Sequence, residues 1–137
     1  MRHEFTDMRE VISALRESNA ASFGEMGICL TEAVDAAERA TSFMLGASAK
    51  HPKDALAGAT PYLRLFAIAR GGTLLAKGAI AARRLSNSRQ SDSLLAARIA
   101  TARFFAENIA PSASGLAAEV IRGAEAVHAG ASVLGQG

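Results

Sequence analysis

Apolar residues recur along this chain in steps of three and four, and nowhere alternate singly with polar ones. That is the signature of α-helices with one buried face rather than of strands. Four segments follow from it. In the first, about Glu4 to Glu17, the rhythm is set by Phe5, Met8, Val11 or Ile12, and Leu15, with Ser18-Asn19 as the stop. The second covers about residues 22–50 and carries a seam of Phe23, Gly27, Leu30, Val34, Ala37, Thr41 and Met44. Its end is set by His51-Pro52, because the residue before a proline avoids the α region. The third opens around Asp54 and runs to about Leu85. Its main body is expected to start at Thr60-Pro61, an N-cap followed by proline at the first helical position.

The third segment is apolar on two seams. One is Leu65, Ile68, Gly72, Leu75, Ala79 and Ala82; the other is Ala67, Gly71, Leu74, Gly78, Ala81 and Leu85. A surface helix needs one stripe, so two stripes imply neighbours on two sides. The second seam is rich in small residues and is the candidate interface. After a polar loop, Ser86 to Gln90, the fourth segment is capped by Ser91 or Asp92. Leu95, Ile99, Ala102, Ala106, Ile109, Ala113, Leu116, Val120, Gly123 and Val127 keep the rhythm past Pro111. One long helix over residues 92–128, kinked near Pro111, is therefore expected, with 129–137 as a tail. The architecture implied is an all-α, single-domain, up-down bundle of about four helices with short connections.

Composition reinforces this picture. Of 137 residues 31 are alanine, the strongest helix former, and there is no Trp. The formal net charge of +2 is too small to indicate nucleic acid. Arg70 and Lys77 interrupt the most apolar window, Leu65 to Ala82, so no membrane span is expected. The polar start, Met1 to Glu4, has no apolar stretch behind it, so no secretory leader is expected. With one cysteine, Cys29, no intrachain disulfide can form, which suits a reducing, cytoplasmic setting. Charge also selects a neighbour. The second segment is acidic (Glu25, Glu32, Asp35, Glu38) and the third basic (Arg64, Arg70, Lys77, Arg83, Arg84). Antiparallel packing of the two would set opposite charges side by side.

The residues able to carry chemistry have structural explanations first. His3, His51 and His128 have no metal-site spacing, and the single Glu125-x-x-His128 pair is read as a helix end rather than a ligand set. Cys29 lies between Glu25 and Glu32, which would raise its pKa, so it is read as a packing residue and not a nucleophile. Gly71-Gly72 lacks the flanking strand and spacing of a phosphate loop, and close helix packing is expected there. Arg64 lies near the first seam and is expected to be held in a structural ion pair. Arg70, Lys77 and Arg84, seven residues apart, form a basic stripe. It is either a solvated face or a site for an anion such as the phosphates of coenzyme A.

Three strings in order carry a resemblance: His51-Pro52-Lys53-Asp54-Ala55-Leu56-Ala57-Gly58-Ala59-Thr60-Pro61-Tyr62-Leu63-Arg64-Leu65-Phe66, Gly71-Gly72-x-Leu74-Leu75-Ala76-Lys77, and Ile99-Ala100-Thr101-Ala102-Arg103-Phe104-Phe105-Ala106. Together they resemble the C-terminal helical domain of flavin acyl-CoA dehydrogenases of the 3-methylmercaptopropionyl-CoA dehydrogenase type. Thr73 departs from the aromatic residue expected after the two glycines. The resemblance implies a parent oxidoreductase of acyl-CoA metabolism whose upstream domains bind FAD and the acyl-CoA and supply the glutamate that takes the α-proton. None of those catalytic or cofactor positions maps onto this chain, and none is assigned here. The chain is expected to be a non-catalytic accessory or oligomerisation domain, holding no cofactor or metal. It would pack on a dehydrogenase body or on a second copy as a homodimer. The alternatives are a stand-alone helical interaction module and a coenzyme A or anion binder.

Overall fold

The computed structural model describes residues 2–86 and 93–135, without the side chains of 124, 125, 128, 131 and 132. The polar stretch 87–92, with its expected cap at Ser91 or Asp92, therefore lies outside the described residues, as do the side chains of Glu125 and His128. Among the described residues five α-helices follow one another: α1 (Arg2–Ser18), α2 (Met26–Lys50), α3 (Pro52–Ser86), α4 (Ser93–Asn108) and α5 (Ala113–Leu134). Single 3-10 turns occupy Ala21–Phe23 and Ala110–Ser112.

Cross-helix contacts give the directions. Leu30, Thr41 and Met44 of α2 meet Gly72, Tyr62 and Gly58 of α3, so residue numbers fall on one helix as they rise on the other. Arg9 and Arg16 of α1 reach Glu38 and Thr31 of α2 in the same antiparallel sense. Down the other side of α3, Gly72 meets Phe105 and Gly58 meets Val120. Helices α4 and α5 thus form one bent antiparallel track along it, and the molecule is the expected up-down, all-α bundle of four rods. The third rod is central, since α3 packs against every other helix.

The core is built from many small contributions. Alanines 33, 36, 37, 40, 69, 76, 79, 102 and 106 are fully buried, and around them lie Met8, Met26, Leu30, Val34, Leu65 and Val120. Alanine at helix contacts lets the axes approach closely, so little interior volume needs filling by large groups. Phe5 of α1 meets Phe66 of α3 edge to face at 6.1 Å. Thr41 donates to the Ala37 carbonyl, so the Tyr62 hydroxyl must be the donor in their 2.9 Å contact.

The predicted seams are largely the buried faces. Phe5, Met8, Ile12 and Leu15 are buried in α1, which decides between Val11 and Ile12. Asn19, at φ 43, ends α1 where expected, its N–H bonded to the Leu15 carbonyl.

Four boundaries differ from expectation. The second helix begins at Met26 rather than Ser22, because Gly24 takes φ +53 and breaks the run after the 3-10 turn. The third begins at Pro52, capped by His51, whose carbonyl accepts the Asp54 N–H at 2.9 Å. Pro61 lies inside that helix; the proline-at-start rule applies, but at Pro52. The bend expected near Pro111 takes the form of the 3-10 turn. Pro111 has no N–H, and both the backbone and the hydroxyl of Ser112 bond to the Ile109 carbonyl, at 3.1 and 2.7 Å. The tighter turn hands the buried position from Ile109, 39% exposed, to Ala110, 1% exposed. Finally, α5 continues past His128 to Leu134; Ala129, Gly130, Val133 and Leu134 are exposed there.

Charge pairing also differs. Asp35 and Glu38 of α2 bind Arg9 of α1, at 2.6 and 2.9 Å, and not the basic side chains of α3. Helices α2 and α3 are neighbours, as predicted, but apolar packing joins them. By length and composition α3 is the one described helix able to cross a membrane. In the bundle its apolar side chains divide between the interior and an outward row.

Candidate interface on the central helix

That outward row is the second predicted seam. Its positions Ala67, Leu74, Gly78, Ala81 and Leu85 are exposed and Gly71 is half-buried, whereas Leu65, Gly72, Ala79 and Ala82 of the first seam are buried. Eleven residues before Leu74, about three turns along the same face, Leu63 is 67% exposed, close to Leu74 at 52% and Leu85 at 55%. Leu63 was missed because the heptad steps of the seam lead back from Ala67 to Arg64; the eleven-residue spacing of Leu63, Leu74 and Leu85, about three turns each, finds it.

The paired glycines separate at this boundary. A Cβ on Gly72 would lie 2.6 Å from Leu30 Cδ2 and 3.2 Å from Phe105 Cε1, so this glycine admits two neighbouring helices. Gly78, on the outward row, has open space around it. The expectation of close packing at Gly71-Gly72 therefore rests mainly on Gly72.

Arg70, Lys77 and Arg84 line a groove of about 410 Å³ between α3 and α1. Val11, Ala14, Leu74 and Ala81 give it an apolar floor, and Asp7 and Glu10 stand on its α1 wall. None of the three cations forms an ion pair among the described residues. The two acids were missed because they come from a helix whose docking position is a tertiary fact. Thr73 also borders the groove, and its hydroxyl bonds back to the Ala69 and Arg70 carbonyls.

On the other flank of α3 a wider opening of about 750 Å³ faces the turn at Pro111. Arg64 and Glu119 border it without forming an ion pair. Among the described residues Arg64 has no ion pair, contrary to expectation: it lies on the exposed edge of α3, one position off the buried stripe.

Cys29 is half-buried. Burial first, then Glu25, Glu32 and Glu107, push its thiol pKa up, against the thiolate form. Glu107 ties α4 to the start of α2. It accepts the Glu25 N–H at 3.1 Å and Arg103 Nε at 2.9 Å, and these bonds hold its carboxyl below the usual range. Among the described residues no three His, Cys, Asp or Glu side chains gather as metal ligands would.

The chain is thus an α-helical bundle whose central helix carries an apolar outward row with cations along one edge. Residues 5–129 match the family described as acetyl-CoA dehydrogenase C-terminal like, and the chain belongs to that family. Neither the curated proteins nor the solved structures provide a match.

Proposed function

We propose that this chain is a non-catalytic accessory domain of the acyl-CoA dehydrogenase type, which builds an interface with a dehydrogenase body or with a second copy. The observation that carries the reading is the row Leu63, Ala67, Gly71, Leu74, Gly78, Ala81 and Leu85. At 1.5 Å per residue it runs about 33 Å along α3. A row of this length on the solvent side of a core helix fits cover by another helix. Flavin and acyl-CoA belong, in this reading, to the rest of the dehydrogenase.

The test mixes the purified chain with FAD, with an acyl-CoA, and with a dehydrogenase body of this family expressed without its own C-terminal domain. Light scattering should show association with the body or with a second copy. Leu74→Asp should weaken that association by about tenfold or more, the effect expected at a central interface anchor. Neither ligand should change the melting temperature. Bound flavin, or a melting temperature raised by acyl-CoA with no association of either kind, would sink the reading. The second reading, an anion or coenzyme A site, is favoured by one observation: Arg70, Lys77 and Arg84 share a groove, and none of them is in an ion pair among the described residues.

A further inference from the structure

We infer that the outward row of α3 is covered by a partner's amphipathic helix, apolar at four-three spacing and acidic along the edge facing α1. This rests on the docking reading above and names the partner's chemistry.

Periodicity is the first argument. Arg70, Lys77 and Arg84 stand beside Gly71, Gly78 and Leu85, so the cation row repeats every seven residues, in step with the apolar row. From first to last the cations span roughly 21 Å along the axis. A helix laid on the row returns an edge position every seven residues, and three acids there meet three cations. A single anion answers at most part of such a row.

Charge is the second argument. The side chains of the row's α1 edge are three cations against two carboxylates, Asp7 and Glu10. The cations form no ion pair among the described residues. An acidic edge therefore gains attraction without breaking an existing pair. A second copy laid antiparallel on the same row would bring cation edge against cation edge, and like charges at such edges select against pairing. The large exposed leucines, 63, 74 and 85, supply the apolar anchors that charge alone lacks.

The experiment uses the whole chain and two synthetic helical peptides of about six turns, both with leucine and alanine at four-three spacing. One carries glutamates along one edge and the other carries lysines. By fluorescence anisotropy at low salt, the glutamate peptide should bind about tenfold more tightly, as expected for three exposed pairs. The preference should shrink at high salt. It should invert in the triple variant Arg70→Glu, Lys77→Glu, Arg84→Glu. If circular dichroism shows that variant unfolded, the glutamine triple variant replaces it and should abolish the preference. Equal binding of both peptides, or binding of neither, overturns the inference. So does a dimer dissolved by Leu74→Asp that neither peptide competes with, since a second copy then covers the row. Displacement of the glutamate peptide by coenzyme A alone would assign the cations to an anion. If Leu74→Asp abolishes association with a dehydrogenase body but the charge variants do not alter it, docking stands and the acidic edge fails. If no body and no second copy associates, the docking reading itself fails.

Discussion

Gly72 and Gly46 show how one residue type serves two purposes. Both lie inside long helices, where glycine costs about 1 kcal/mol relative to alanine. A Cβ on Gly72 would collide with Leu30, whereas Gly46 has nothing within 4 Å. Gly46→Ala should therefore stabilise the chain by about 0.5–1 kcal/mol. Gly72→Ala should destabilise it, since overpacking of about 1–3 kcal/mol exceeds the propensity gain. Urea denaturation of the two variants checks both signs, and stabilisation by Gly72→Ala would contradict the packing described. Glu107 carries a pH dependence. Its folded pKa is depressed below the ordinary 4.5, first by the Glu25 N–H and then by Arg103. A depressed carboxyl contributes stability above its unfolded pKa and loses it as pH falls through the folded value. Glu107→Gln should thus be less stable than the parent at pH 7, and the two should converge as pH falls from about 4.5 toward still more acidic values. A gap that stays constant between pH 7 and pH 3 would show that the carboxylate charge is not what joins α4 to α2. The sequence made Glu25 and Glu32 legible as acidic neighbours of Cys29 by their spacing; Glu107, 78 positions later, became one only through folding.

Among the elements, α1 is held by apolar burial and by one charge cluster. Arg9 bonds both Asp35 and Glu38, and all three side chains are about one-third to one-half exposed. Exposed pairs contribute little singly, about 0–1 kcal/mol, and are screened by salt. Arg9→Ala should cost about 1 kcal/mol at low ionic strength and measurably less in 0.5 M salt, by thermal denaturation at both. An equal loss at both salt concentrations would assign the effect to packing of the Arg9 stem instead. The sequence named the acids of α2 correctly as partners for a basic neighbour, but assigned the wrong helix. Composition reports how many charges each helix bears; the angle at which they project is settled by which face each helix buries. Boundaries followed a similar rule. Stops written in local chemistry, Asn19 and His51-Pro52, were legible. The start of α3 was misplaced because Pro52 and Pro61 both satisfy the same local rule, and only packing of the first two turns decides between them.

For the whole molecule, fold and the proposed docking should be separable, because the buried face of α3 and its exposed apolar row lie on opposite sides of the helix. Leu74 is 52% exposed, so Leu74→Asp should leave urea stability within about 0.5 kcal/mol while weakening association. A large loss of stability in that variant would mean the row belongs to the bundle's own interior. What the sequence determined by itself was the all-α class, the four-three seams, the short connections and the family resemblance. These depend on residue order within a turn or two, where periodicity and proline chemistry act directly. The sequence also showed that α3 has two apolar faces. Which face turns inward was decided by the tertiary structure, as was the meeting of Arg70, Lys77 and Arg84 with Asp7 and Glu10 across one groove. Two faces of similar apolarity differ only in how well their side chains interlock with other helices. The face bearing Leu65, Gly72 and Ala79 admits α2 and α4 to van der Waals contact, and that surplus of packing leaves the other face to solvent.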